Sequence, residues 1–307
     1  MSRHGSPKIA QKSEKPDSSK GVSYMMASAM SISGANGMVV HVASTGVHAF
    51  EIAFFRQLIG ALMMTALTVR EGLRHFYTRR IKLHILRSIL NAFALLAYFY
   101  GLSLEPLSKV VALSLTAPLF ATLGAVLLLG EVMTRHRWIA LGFGVIGALI
   151  ILRPGIQAVS LGAILILLSN ASWACALLVI KKLTETDSAI TIALWAVYFQ
   201  VPVALGAAIF VWQGPTLSQF WWLAGIGLLG TAAQIFLGDA FRRADATVVL
   251  PIDFTKIFYA SLIGYFFFDQ VPEIWIWIGA FIVFGAVFYN AWQERAVRRK
   301  LQQPPKR

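Results

Sequence analysis

The sequence predicts an all-α membrane protein whose ten transmembrane helices form two inverted five-helix repeats. Three observations carry that expectation. The composition is too apolar for water, the basic residues alternate from loop to loop, and the two halves of the chain can be overlaid.

Of the 307 residues, 57% are hydrophobic and 13% charged, about half the charged share of an ordinary soluble domain. A soluble fold of this length has too little interior to hide so much apolar surface, so lipid is the expected solvent. The single cysteine, Cys175, lies in an apolar stretch. It excludes a disulfide framework within the chain and reads as a small packing residue.

A bilayer core takes roughly 20 apolar residues per helix. Ten segments meet that length, at about 21–43, 48–69, 83–104, 107–129, 136–153, 159–181, 187–212, 218–240, 245–268 and 272–293. The first is the least apolar, with small and polar residues that favour close helix packing. Residues 1–20 are polar, basic and rich in Ser, Pro and Lys, and read as a disordered cytoplasmic tail with no cleaved signal. Residues 294–307 form a second basic tail. The repeats are then 21–153 and 154–293.

Lys and Arg fix the expected orientation. The N-terminal tail, the loops after spans 2, 4, 6 and 8 and the C-terminal tail hold 22 of the 27 basic residues. The alternate loops hold only Arg153 and Lys109. Both termini are therefore expected in the cytoplasm, with the chain in the inner membrane. The net charge of +13 reads as a topology signal, with anionic lipid headgroups as its partner and no role for nucleic acid.

Residues 100–150 overlay on 238–288 at an offset of 138, placing Glu131 on Asp269 and Gly147 on Gly285. Five spans per half is an odd number, so the halves insert with opposite orientation, a recurrent plan in transporters.

Four stretches carry a family resemblance: EIAFFRQLIGAL with its in-span arginine, LSLEPLSKVVALSLTAPLFATLGAVLLLGE closed by Glu131, RWIALGFGVIGALIILRPG, and AFRRADATVVLPIDFTKIFYASLIGYFFFDQ closed by Asp269. Over about residues 21–293 the chain resembles the drug/metabolite transporter superfamily, EamA-type. The pattern more often has glutamate where this chain has Asp269. The resemblance implies alternating access about a central cavity lined largely by spans 3, 4, 8 and 9. The second half resembles branches associated with uptake of S-adenosylmethionine or riboflavin.

An ionisable group in lipid costs at least about 2.5–3.5 kcal/mol, so each one inside a span is a functional candidate. Asp253 and Lys256 stand three residues apart on one face of span 9, just after Pro251, which removes a backbone donor and is expected to kink the helix. Asp253 is the candidate for a cationic group or a coupling proton, with Lys256 tuning it; a packing ion pair is the rival reading. Arg56 in span 2, five residues from Glu51, is badly spaced to pair with it and is expected to meet a neighbouring helix or a substrate carboxylate. Lys109 and Arg87 are expected to snorkel.

Of the in-span amides Asn36, Asn91, Asn170, Gln200 and Gln234, some are expected to glue helices together and two or three to line the cavity, with Asn91 and Gln234, and the phenol of Tyr98, as the first choices. Glu131 and Asp269, with Pro118 and Pro251, read as gating or structural, each acid accepting from the amides that open the next helix. GFGVIG (142–147) and GIGLLG (225–230) match a dinucleotide fingerprint, but both lie inside predicted spans and read as packing faces. No metal spacing, ATP motif or cofactor signature is present, and no enzyme is expected. The leading expectation is a secondary carrier of a small polar metabolite, an amino acid or derivative, with a proton at Asp253 as coupling ion. A carrier for cofactor uptake is the alternative, and an intramembrane enzyme or a channel is the rival class. Substrate, direction and oligomeric state are not fixed by the sequence.

Overall fold

The computed structural model describes residues 18–71, 77–155, 158–244 and 246–302. Most of the predicted N-terminal tail lies outside these residues, whereas 294–302 of the predicted C-terminal tail continue the last helix. The first helix begins at Ser18 and the last runs on to Gln302, so each terminal span is longer than its apolar core.

Among the described residues twelve helices form the ten spans. The first repeat comprises α1 (Ser18–Ser44), α2 (Ala49–Glu71), α3 (Ile81–Leu104), α4 (Leu107–Ser114), α5 (Ala117–Leu129) and α6 (Arg135–Leu152). The second comprises α7 (Leu161–Leu183), α8 (Ala189–Ile209), α9 (Leu217–Arg243), α10 (Ala246–Asp253), α11 (Lys256–Phe268) and α12 (Ile274–Gln302). Among the described residues nine segments are long and apolar enough to cross a membrane, α4–α5 and α10–α11 each counting as one. The remaining span is α1, long enough at 27 residues but diluted by glycine, serine and asparagine. Large apolar side chains such as Leu127, Phe266, Phe267 and Phe281 point outward, the reverse of a water-soluble fold.

The repeats interlock rather than sit side by side. α1 packs on α9 and α3 on α7; α2 faces α8, and α6 faces α12. Small residues set the crossings. A Cβ on Gly21 would lie 2.4 Å from Ala244 Cβ, and one on Gly162 would lie 2.5 Å from Glu105 Cγ. The two crossings carry matching hydrogen bonds: Ser28 donates to the Ala233 carbonyl (2.8 Å) and Ser169 to that of Ala94 (2.7 Å).

These pairs correct the sequence overlay by one residue. Gly130 and Asp269 both close their helix in the left-handed conformation, at φ 66° and 53°. Glu131 N–H donates to Ala125 and Gln270 N–H to Gly264 in the same turn. The counterpart of Glu131 is therefore Gln270, not Asp269. Asp269 fills a helix-closing position where glycine is the usual residue, and it is exposed. An apolar pattern is insensitive to such a slip; the turn is not.

Spans 4 and 9 are both interrupted near mid-membrane, at Leu115–Thr116 and Phe254–Thr255. The two threonines bond back identically, Thr116 to the Leu113 carbonyl and Thr255 to that of Ile252, each at 2.7 Å. Pro251 was expected to kink span 9, but it lies inside α10, ahead of the break. Pro118 sits in the first turn of α5, where its missing N–H costs nothing.

All but one of the glycines in the two fingerprint matches are packing positions. Gly144 admits Leu119, Gly147 admits Gly279 and Val283, Gly227 admits Ile59, and Gly230 admits Arg56. A Cβ at 147 would lie 2.8 Å from the Gly279 carbonyl, whereas nothing stands within 4 Å of one at 142. Gly147→Leu should therefore lower unfolding stability in detergent by about 1–3 kcal/mol, with Gly142→Leu close to wild type by the same thermal-shift assay.

Candidate substrate site

Polar side chains at mid-span form one belt across both repeats. Gln200 of α8 accepts from the side-chain amides of Gln57 (2.5 Å) and Asn91 (3.2 Å). Arg56 donates to the Gln57 side chain at 3.2 Å, and its guanidinium stands 5.7 Å from the Phe99 ring centroid. Its charge reaches Tyr98, whose hydroxyl accepts from Asn36 at 2.9 Å and also bonds Ser114. One turn along α1, Ser33 donates to the Lys256 carbonyl at 3.1 Å. Lys256 Nζ lies 2.7 Å from Asp253 Oδ2, across the break between α10 and α11. Ser114 occupies in the first repeat the helix-ending place that Asp253 occupies in the second.

Within this belt Arg56 is the unbalanced charge. Asp253 and Lys256 neutralise each other at half-buried positions. Arg56 has no carboxylate within ion-pair distance among the described residues, and the bare backbone of Gly230 makes room for its Nε. Glu51, in its own helix, is fully buried at the far end of α2. It accepts from the backbone N–H groups of Gln213 (3.1 Å) and Gly214 (3.2 Å).

The structure links Arg56 and Asn91 through Gln57 and Gln200 and sets Tyr98 on Asn36; Asp253 and Lys256 pair with each other and connect to this group along α1, through Ser33. Gln234 stands apart from them: it shares an α9 face with Gly230 but is exposed, one turn further from the belt. Sequence reasoning missed Ser33, Gln57 and Ser114. Gln57 adjoins Arg56, and Ser114 precedes a threonine break; only the fold gives either a meaning. The belt also draws on α1, α2 and α8, beyond the four spans the resemblance implied.

Other charges work at the membrane faces. On the far face, opposite the termini, Lys109 Nζ pairs with Glu105 at 2.8 Å rather than snorkelling alone, and Glu105 also accepts from Ser160. Arg87, on the face bearing the termini, donates to the Ile192 carbonyl at 2.6 Å instead of reaching the surface. There Glu131 meets Lys181 (2.8 Å) and Arg137 (3.0 Å), and Arg137 also holds Glu294 (2.9 Å). Glu131 was expected to accept from helix-opening amides; it takes these ion pairs instead. Asp187 accepts from Thr78 (2.7 Å) and faces His84 Nε2 (2.7 Å).

Lys181, against the opposing effect of burial and with help from Arg137, holds the Glu131 carboxyl below its ordinary 4.5. Burial pushes Asp187 up, but the His84 and Thr78 hydrogen bonds outweigh it, leaving it below its ordinary 3.8. Depressed carboxyl values stabilise the fold above the unfolded pKa and lose that contribution as pH falls through the folded one. Thermal midpoints should therefore be steady down to about pH 4.5 and fall below about pH 4, with a shallower fall in Asp187→Asn.

Comparisons with known proteins agree with this architecture. A family model described as the EamA-like transporter family matches twice, over residues 19–153 and 160–292. The chain is 28% identical over 280 residues to an S-adenosylmethionine uptake transporter of Rickettsia bellii, covering 91% of this chain and 96% of the relative. It is 34% identical over 252 residues to a riboflavin transporter of Rhizobium johnstonii, covering 81% and 82%. A pseudopaline exporter of Pseudomonas aeruginosa is 30% identical over 240 residues, covering 76% and 83%. A solved crystal structure superposes with a TM-score of 0.61 at 15% identity, covering 90% of this chain and 98% of its own; that likeness speaks for the fold alone.

Proposed function

The chain belongs to the EamA-like transporter family, a multi-pass membrane carrier of small molecules, and on that premise we propose that it takes up a cofactor-type metabolite with S-adenosylmethionine chemistry. Arg56 is the observation that carries this reading: a guanidinium at mid-span, between the repeats, with no carboxylate of the described residues to neutralise it. A charge left so in lipid is expensive, and a substrate carboxylate offsets that cost while the substrate is bound. S-adenosylmethionine offers a carboxylate for Arg56 and cationic groups for Asp253, which lies on the same belt.

The expectation of a free amino acid gives way here, because relatives named for S-adenosylmethionine and riboflavin span most of the chain. Riboflavin is the second reading, supported by the 34% identity. It lacks a carboxylate and makes less use of Arg56.

Coupling belongs to the same belt. Asp253 is held by Lys256 across a helix break, where protonation of the carboxylate frees the ammonium. We assign the proton, if the carrier is driven, to this pair. By the positive-inside pattern we read both termini as cytoplasmic.

In proteoliposomes, labelled S-adenosylmethionine should enter saturably. Arg56→Ala should raise its KM by about tenfold or more, the value of a hydrogen bond to a charged group, with Arg56→Lys intermediate. Asp253→Asn should exchange substrate but ignore an imposed pH gradient. Saturable riboflavin uptake that Arg56→Ala leaves intact would select the second reading.

A further inference from the structure

A second guanidinium inside the spans meets no carboxylate of the described residues: that of Arg87. It lies on α3, about 9 Å along the helix from its start at Ile81. Its Nη1 donates to the Ile192 carbonyl of α8 at 2.6 Å. Its Nε is buried without a partner, while the residue as a whole is only half-buried. One carbonyl thus answers a charged group with five donors. Trp195 follows Ile192 by three residues, on the same face of α8, and its indole Nε1 is also buried without a partner. Ser88 donates to the Trp195 carbonyl at 3.4 Å, so both orphan donors belong to one crossing of α3 and α8. Buried donors without an acceptor are costly. Two of them beside an unbalanced charge point to an anionic acceptor that comes and goes.

The crossing adjoins the belt. Asn91 follows Arg87 by one turn on the same face of α3. It meets Gln57 at Gln200, and Gln57 accepts from Arg56. Polar side chains therefore run from Arg56 to Arg87, toward the face bearing the termini. Beyond Arg87 the α3 stripe continues with His84, which faces Asp187, and Arg80, which pairs with Glu185. Arg87 is the cation of the stripe left without a carboxylate. We propose that Arg87 is a second carboxylate-binding site, with the Trp195 indole as its neighbouring donor, where the substrate rests between the belt and the terminus-bearing face. A carboxylate fits because its two oxygens accept together from one edge of a guanidinium. The proposal rests on the carrier reading and on a carboxylate in the substrate.

One test needs no substrate. Leu83, one turn nearer the terminus-bearing face on the side of α3 that carries Arg87, is half-buried. In a Cys175→Ala background, Leu83→Cys is treated from that face with anionic sulfonatoethyl and cationic trimethylammonioethyl methanethiosulfonate. Arg87→Gln should lower the anion-to-cation rate ratio about tenfold, as for a unit charge about 6 Å away acting through water. Arg87→Lys, which keeps the charge, should hold the ratio. A cysteine that neither reagent reaches, or a ratio that Arg87→Gln leaves unchanged, would overturn the proposal whatever the protein carries. A second test offers labelled S-adenosylmethionine to vesicles of either orientation. From the terminus-bearing face its KM should rise about tenfold in Arg87→Gln and less in Arg87→Lys; from the far face it should stay near the parent. The decarboxylated analogue should show no such rise. No shift, equal shifts from both faces, or equal shifts for both compounds would make Arg87 a packing residue and overturn the proposal, leaving the substrate reading intact. Absence of saturable S-adenosylmethionine transport in the parent would count against the substrate reading alone, and the reagent ratio would then decide.

Discussion

Interrupting a helix in the middle of a bilayer leaves backbone groups that water cannot reach, and the fold depends on how those groups are satisfied. Each half answers with the same turn. A threonine hydroxyl folds back on the carbonyl three residues earlier. A neighbouring first span then adds a donor: Asn170 of α7 reaches Leu113 and Thr116, and Ser33 of α1 reaches Lys256. Because the donor always comes from the other repeat, the breaks tie the halves together at the depth where a substrate sits. The polar belt is an extension of this repair, and Arg56 is the charge in it that no carboxylate of the described residues balances.

Much of this was legible in the chain. Ten spans follow from apolar length, and the inverted plan follows from an odd number of spans per half. Asp253 and Lys256 at a spacing of three form the ion pair expected of one helical face. What was not legible has a common physical cause. Apolar pattern measures membrane depth to within a few residues and says nothing about register, so Glu131 was matched to Asp269 when the turn geometry matches it to Gln270. Proline was credited with a kink, and the break lies three residues on, at Phe254–Thr255. Gln57 and Gln200 bond across 143 residues, and no local signal foretells such a partner. Lys109 and Arg87 were assigned to the surface because snorkelling needs no knowledge of neighbours. In the fold each finds a nearby acceptor, a carboxylate and a carbonyl.

The two halves share a backbone plan and differ in chemistry. Ser114 ends α4 where Asp253 ends α10, and Gln270 reaches the Leu107 amide where Glu131 meets Lys181 and Arg137. The scaffold is symmetric; the side chains at matched positions are not. Since Glu131 sits among Lys181, Arg137 and Glu294, its contacts feel ionic strength, while the Gln270 contact is indifferent to it.

The crossing of α1 with α9 also bears on how the protein is made. Ser28 bonds a carbonyl 205 residues downstream, and Gly21 leaves space for Ala244. The least apolar span is thus joined to the eighth of the ten, which is synthesised long after it. Asn36 finds Tyr98 in the third span, but Ser28 has no α9 carbonyl to bond until most of the chain has been made. Biogenesis of this carrier is in that sense closed from the end backwards, and the insertion machinery has to shelter α1 until α9 arrives.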